Sequence, residues 1–412
     1  MNVRVNEERL ARELDTLAGF SAGPSPGVTR IVFTRPDIQA RGWLKGLYAG
    51  AGLAVREDAV GNTFATWQGF EPLLARIGTG SHIDAIPNSG QYDGTVGVLG
   101  ALEAIRALQS AGFRPRRSIE LLLFTSEEPT RFGLGCLGSR LLAGTLDAGA
   151  GERLRDRGGK SLNEVRAAAG FAGELDAVKL PPGYYHGFLE LHIEQGPRLE
   201  REKVSLGVVT HIAAPAGLRL SIEGTGGHAG AVLMPERRDA FLAAAELALA
   251  LETCALETRA IDTVATTGVC EVFPGAVNSI PSCVKLEIDV RDTDWERRDS
   301  VLRRFAEACA RTAAQRKVSI QTELLNSDAP AVCDPAIVDI LKQACEAQGQ
   351  SYLPLVSRAY HDSLFVSRIA PVAMLFIPCK GGVSHRPDEF SSTRDIANGV
   401  RVLAHALAQL AS

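Results

Sequence analysis

Five residues with metal-ligand side chains stand in five separated motifs: His82, Asp93, Glu128, His192 and His385. His82 opens Ser81-His82-Ile83-Asp84 straight after an apolar run that reads as a buried strand. Asp93 lies in Gly90-Gln91-Tyr92-Asp93-Gly94, where glycine lets the backbone turn tightly around a ligand. Glu127 and Glu128 follow the strand pattern Ile119–Phe124, His192 sits within Phe188-Leu189-Glu190-Leu191-His192-Ile193, and His385 within Gly382-Val383-Ser384-His385-Arg386-Pro387. Imidazoles and carboxylates with one group shared suit a pair of divalent cations, and a carboxylate bridging two ions about 3.5–4 Å apart lets them lower the pKa of a common water. Asp93 is the expected bridge. Glu127 cannot easily point the same way as Glu128, which leaves it free to act as a general base. Asp84, two residues beyond His82 on one face of an extended chain, is expected to accept the second imidazole N–H and fix the ring. Such a set argues for a hydrolase. Oxygen and nitrogen donors without cysteine suit manganese, zinc or cobalt.

A lone histidine is more often structural than a ligand, and His186 and His405 are taken so, with His211 left open. Gly224-Thr225-Gly226-Gly227-His228-Ala229 fits a loose nucleotide fingerprint after a strand, but no helix pattern opens from it and no acidic strand end follows.

The elements that must position these groups fall into two textures. Through the first two hundred residues helix and strand patterns alternate: Leu10, Leu14 and Leu17 at helical spacing, a helix from near Pro36 to Tyr48, strands at 54–57, 63–67 and 75–80, and a helix through Val98, Leu102 and Ile105. The strand at 119–124, a helix at 137–143 and the His192 strand complete the series. The pattern predicts an α/β fold with a central, mostly parallel sheet flanked by helices. From Gly207 a strand–helix–strand–strand–helix–strand order appears, with helices at 237–252 and 295–316 and strands at 264–273 and 284–289. The α/β pattern returns with a helix at 337–347, a strand at 372–377 and a terminal helix at 395–410. The expected division is a catalytic domain, residues 1–208 and 327–412, with an inserted α+β domain at 209–326.

Composition narrows the class. The chain has 412 residues, 45% apolar and 22% charged, and a formal net charge of −4. No basic run suggests nucleic acid, and neither a leader pattern nor an apolar stretch long enough to span a membrane is present. The eight cysteines show no Cys-x-x-Cys spacing and read as reduced, buried thiols, which suggests a cytoplasmic protein.

On these residues the chain resembles the M20 metallopeptidase-like amidohydrolases over essentially its whole length, in the branch of N-carbamoyl-L-amino acid hydrolases and allantoate amidohydrolases. The carrying segments are 80–87, 124–133, 188–196, 226–231, 357–363 and 376–379. The narrower signals are Glu128-Pro129-Thr130 and Ala359-Tyr360-His361-Asp362, which are most similar to the members that cleave ureidoglycolate. The resemblance implies a ferredoxin-like inserted lid that also forms a homodimer, two metal ions per subunit with manganese favoured, and a small ureido acid, (S)-ureidoglycolate, as substrate. A carbamoyl amino acid or allantoate is the alternative. It also implies that His228 reaches the partner subunit's site and stabilises a tetrahedral oxyanion. Asn278 and Arg291 would hold the substrate carboxylate, Gln195 and His361 would line the ureido end, and Tyr360 would discriminate between substrates. Physically, a guanidinium suits a bidentate grip on a carboxylate, although Arg291 could equally pair with Asp289 or Asp292. His228 between glycines suits an exposed, mobile donor.

Overall fold

The computed structural model describes residues 3–412, which form two compact units, 3–210 with 332–357 and 361–412, and 211–331 with 358–360.

The first unit opens with α1 (Glu7–Ala18), whose Asn6 side chain accepts from the Arg9 N–H and whose Leu10, Leu14 and Leu17 form the buried stripe. A short strand β1 (Val28–Arg30) and α2 (Arg35–Gly50, with Pro36 in its first turn) follow. Then come β2 (Ala54–Glu57), β3 (Thr63–Trp67), β4 (Arg76–Ser81) and β5 (Ala85–Ser89). Helix α3 (Thr95–Ser110) is buried almost all round, as its apolar sequence requires. Strand β6 (Ile119–Leu123) is wholly buried. Helices α4 (Leu137–Ala143), α5 (Ala148–Arg153) and α6 (Leu162–Ala168) lead to β7 (Tyr185–Ile193), α7 (Arg198–Glu202) and β8 (Leu206–Ile212).

In the second unit β9 (Ala214–Glu223) is followed by the two-residue β10 (Gly227–His228) and by α8 (Ala240–Leu256). Helix α8 starts three residues later than the sequence pattern suggested, because Asp239 caps it by accepting from the Phe241 and Leu242 N–H groups. Strands β11 (Val264–Phe273), β12 (Ser279–Ile280) and β13 (Cys283–Asp292), then α9 (Trp295–Arg316) and β14 (Ser319–Ser327), complete the unit. The sheet order is β11-β13-β9-β14, antiparallel throughout. With α8 and α9 this is a ferredoxin-like βαββαβ arrangement. Leu218, Leu220, Ile222, Val284, Leu286, Ile288 and Val290 pack with Leu247 and Leu251 of α8 and Val301 and Phe305 of α9. The alternate positions are polar: Arg219 lies 2.8 Å from Glu287 and 3.0 Å from Glu323. One apolar and one charged face is the period-2 signature of a half-covered sheet.

The chain re-enters the first unit through β15 (Ala331–Val332), α10 (Pro335–Ala347), β16 (Tyr352–Ser357), α11 (Asp362–Val366), β17 (Val372–Ile377) and α12 (Thr393–Leu410). The large sheet runs β15-β8-β17-β7-β4-β6-β3-β2, with β16 on β8. The expected parallel strands are there as the centre of a mixed sheet. The centre, β17-β7-β4-β6, is parallel, while β8 on one side and β3 on the other run against it, and β2, antiparallel to β3, returns to the central direction. A parallel crossover needs about a dozen residues or more, and the turn between β2 and β3 is too short to supply one. The inserted unit also ends later than 326, since β14 continues to Ser327, and it takes in Arg358–Tyr360. Arg358 is ion-paired to Asp262 at 2.5 Å, and the Arg291 guanidinium lies 5.3 Å from the Tyr360 ring centre.

Candidate metal centre

Parallel strands place their carboxyl ends on one edge, and the residues that leave those ends gather there. His82 follows β4, Glu127 and Glu128 follow β6, His192 is the penultimate residue of β7, and His385 lies in the loop after β17. Asp93 arrives from the loop before α3. All five proposed ligands come together, with Asp93 at the centre. Its Oδ1 lies 3.1 Å from His192 Nε2 and 3.5 Å from His82 Nε2. Its Oδ2 lies 3.3 Å from His385 Nε2, which is also 3.3 Å from Glu128 Oε1. Two donor groups result, His82–Asp93–His192 and Asp93–Glu128–His385, each with its donor atoms within 4.8 Å of one another. One carboxylate serves both, each oxygen facing a different group. That donor set fits two borderline divalent cations.

The local backbone is bent to achieve this. Gly94, at φ 66°, lies so close to His82 that a Cβ there would come within 2.5 Å of the imidazole. Ser126 (φ 58°), Gln195 (φ 54°) and His385 (φ 60°) adopt the left-handed region without being glycine, and each adjoins or is a proposed site residue. Such strain persists only where surrounding bonds enforce it, and it concentrates at functional sites.

Electrostatics favour positive charge at the centre. Burial alone would lower the His82 imidazole, but Glu127, Asp93 and Asp84 outweigh it and hold it well above its ordinary range. His192 is likewise raised against burial by Asp93. His385 is pushed up to about 11 by its contacts with Asp93 and Glu128. Burial would raise Asp93, yet its imidazole partners hold it well below the usual carboxylate range. Glu127 behaves differently. Burial and then the neighbouring Glu128 charge raise it well above normal, as befits a proton acceptor working near neutrality. Its Oε2 lies 3.8 Å from His82 Nε2 and its Oε1 3.5 Å from the buried Cys136 thiol.

Asp84 is close by but does another job than expected. His82 Nδ1 is 3.1 Å from the main-chain oxygen of Asp84, whereas the Asp84 carboxylate is 3.7 Å away. The ring is oriented by the carbonyl. The carboxylate instead accepts from the Glu127 and Glu128 N–H groups, at 3.1 and 3.0 Å. Those two donors sit in a non-regular turn after Ser126, and a buried turn must satisfy them with a side chain.

Gln195 Nε2 donates to Asp93 Oδ2 at 2.7 Å, and its Oε1 is buried without a partner. His361 is 2% exposed; its ring packs edge-on against His192 with 4.4 Å between centres, and its Nε2 lies 3.0 Å from Ser357 Oγ. Tyr360, its sequence neighbour, groups with the second unit beside Arg291. In that unit, exposed His228 pairs across β10 and β12 with Ser279, and the Asn278 carbonyl accepts from the Ala229 N–H at 2.9 Å, so His228 and Asn278 are neighbours. Arg291 is paired with Asp289 through Nε at 2.7 Å and Nη2 at 3.2 Å, the simpler alternative foreseen for it. The glycine run before His228 forms a bridge from Thr225 to Arg238, and among the described residues no helix starts until Met234.

Glu190 went unassigned in the sequence reading. It is 1% exposed on β7 and accepts from Ser81 Oγ at 2.7 Å, Ser363 Oγ at 2.6 Å and the Ser363 N–H at 3.2 Å, tying β4 and α11 to the strand that carries His192. A carboxylate inside the apolar run Phe188–Ile193 was the available signal, since charge is buried only when paired. Asp362 is similar: burial and then Glu190 push its carboxyl up to about 8, and Oδ1 bonds Ser139 at 2.5 Å.

Known proteins place this arrangement. The chain matches Peptidase family M20/M25/M40 over residues 78–409. It is 52% identical to a ureidoglycolate hydrolase of Arabidopsis thaliana, covering 99% of this chain and 87% of the relative. It is 38% identical to an N-carbamoyl-L-amino acid amidohydrolase of Geobacillus stearothermophilus, covering 99% of both. Among solved structures, AtUAH in complex with (S)-hydroxyglycine superposes with a TM-score of 0.93 at 52% identity, covering 99% of this chain and 98% of that one. With a family match across most of its length and relatives aligned from end to end, the chain belongs to peptidase family M20/M25/M40.

Proposed function

We propose that this enzyme hydrolyses the ureido group of (S)-ureidoglycolate, giving glyoxylate, carbon dioxide and two molecules of ammonia for one water consumed. The observation that carries the reading is identity of 52% with a ureidoglycolate hydrolase across 99% of the chain. AtUAH structures hold (S)-hydroxyglycine and glyoxylate, which are the intermediate and product this sequence of steps requires. The family is metal-dependent, and the reading takes His82, Asp93 and His192 to hold one ion and Asp93, Glu128 and His385 a second, with manganese favoured over zinc or cobalt. Ions held there supply Lewis-acid polarisation of the ureido carbonyl and acidify water.

The chain's own groups do the rest. Glu127 takes the proton from the attacking water and returns it to the departing nitrogen, a role consistent with its raised pKa. Loss of ammonia leaves a carbamate, which releases carbon dioxide. The resulting hydroxyglycine eliminates the second ammonia to give glyoxylate. Asp84 holds the Glu127–Glu128 turn. His228 donates to the developing oxyanion of the partner subunit's substrate, Asn278 and Arg291 take the carboxylate, and Gln195, Tyr360 and His361 shape the ureido end. The reading requires a homodimer formed through the second unit. No helix among the described residues is long and apolar enough to cross a membrane, and all eight cysteines are unpaired, which accords with a cytoplasmic setting.

The test is a side-by-side assay of ammonia and glyoxylate release from ureidoglycolate, ammonia release from allantoate, and hydrolysis of an N-carbamoyl-L-amino acid, each with added manganese. Ureidoglycolate should have the highest kcat/KM. A higher value for allantoate or the carbamoyl acid would replace this substrate with that one.

A further inference from the structure

His82 and His192 stand at the end of, or within, strands of the central sheet, but Asp93 and His385 are carried by loops, and the spacing of both donor groups depends on those two. Glu389 joins the loops. It is 4% exposed, and its Oε1 accepts from the Tyr92 N–H at 2.8 Å and the Asp93 N–H at 3.1 Å, across nearly three hundred residues of sequence. Its Oε2 lies 2.9 Å from Ser384 Oγ, and that hydroxyl lies 2.7 Å from Asp93 Oδ2. The turn that presents it closes through the Glu389 N–H to the Arg386 carbonyl at 3.1 Å, directly after His385. Gly90 makes room: a Cβ there would fall 2.3 Å from the Glu389 side chain.

We propose that Glu389 is a positioning residue that clasps the Asp93 loop to the His385 loop, with Ser384 as the rivet, and so sets the separation of the two metal groups. The inference rests on the dimetal reading above. One side chain fixes the backbone of the shared carboxylate, orients its outer oxygen through Ser384, and holds the turn that bears the most exposed imidazole. Loops lack the ladder bonds that hold strands in register, so ligands placed on them need lateral bonds of this kind.

The hydrogen count makes the test sharp. The Ser384 hydroxyl has one hydrogen and two carboxylate neighbours. Glutamine at 389 satisfies the same geometry: its amide oxygen accepts both N–H groups, its amide nitrogen donates to Ser384, and Ser384 donates to Asp93. Wild type, Glu389→Gln, Glu389→Ala and Ser384→Ala are stripped with chelator and titrated with Mn2+ by calorimetry, with circular dichroism and thermal unfolding of each stripped protein alongside. Wild type should take two ions. Glu389→Gln should match it, Glu389→Ala should bind about 10- to 100-fold more weakly, and Ser384→Ala should lose about fivefold, the worth of one hydrogen bond. A purely structural role would lower the unfolding temperature of Glu389→Ala and leave its Mn2+ affinity at the wild-type value. Wild-type affinity in Glu389→Ala, or an equal loss in Glu389→Gln, overturns the clasp alone. If Glu389→Ala does not fold, unchanged affinity in Ser384→Ala overturns it. A wild type that binds no ion removes the dimetal reading and the clasp together.

Discussion

At the scale of single residues, the site is a balance between protons and cations. Three imidazoles face a shared carboxylate, and in the metal-free protein His82, His192 and His385 are all raised, His385 to about 11. A raised imidazole carries its proton at neutral pH, and an ion that coordinates the same nitrogen must displace it. Metal uptake at pH 7 should therefore release at least one proton, and apparent affinity should rise with pH by about tenfold per unit for each proton displaced. Mn2+ calorimetry in two buffers of different ionisation enthalpy measures that number directly. Zero protons released would mean that these imidazoles are already neutral at pH 7 before the ion arrives. The five proposed ligands that the fold gathers around Asp93 were readable from sequence because each interrupts a strand or glycine pattern with a side chain able to coordinate. Asp84 was misread in detail for a physical reason: spacing places its side chain on the correct face, but the choice between its carboxylate and its carbonyl depends on which donors the Glu127–Glu128 turn leaves unsatisfied.

At the scale of elements, convergence depends on parallel strand ends and on the turns that leave them. The strand and helix patterns that marked β2, β3, β7 and β17 came from apolar runs and alternation, which survive in any environment. Strand direction at the flanks of the sheet was not legible, because it is fixed by connection length and by neighbours distant in sequence. Glu389 was invisible for the same cause: the two main-chain N–H groups it accepts from lie some three hundred residues away. The Asp93 turn offers a clean separation of backbone strain from side-chain crowding. Gly94 (φ 66°) and Gly133 (φ 70°) both have a positive φ, but an added Cβ meets His82 at 2.5 Å in the first and nothing within 4 Å in the second. Both Gly94→Ala and Gly133→Ala should lose about 1–2 kcal/mol of stability from the backbone term. Only Gly94→Ala should also displace His82 and weaken Mn2+ binding, by about tenfold or more. Chemical denaturation and calorimetry on the two variants give both quantities, and equal metal affinity in the pair would show that His82 does not need the space Gly94 leaves.

At the scale of the whole molecule, the proposed chemistry is divided between two units that the contacts separate. The metal groups and Glu127 belong to one, whereas His228, Asn278, Arg291 and Tyr360 belong to the other. The βαββαβ order of the second unit was plain from sequence, since its strands alternate and its helices are long; what its exposed residues act upon is not a property of either unit alone. If His228 serves the site of the partner subunit, as proposed, two defects on different chains can complement. In a dimer mixed from Glu127→Gln and His228→Ala chains, one site has both defects and the other has neither. Random mixing puts half the dimers in that hybrid state, so activity should return to about a quarter of wild type from two nearly inactive parents. Unfolding and refolding the parents together, with wild type carried through the same procedure as reference, supplies the hybrids. Activity no higher than the mean of the separate parents would place His228 on its own subunit's substrate, because every hybrid site would then keep one defect.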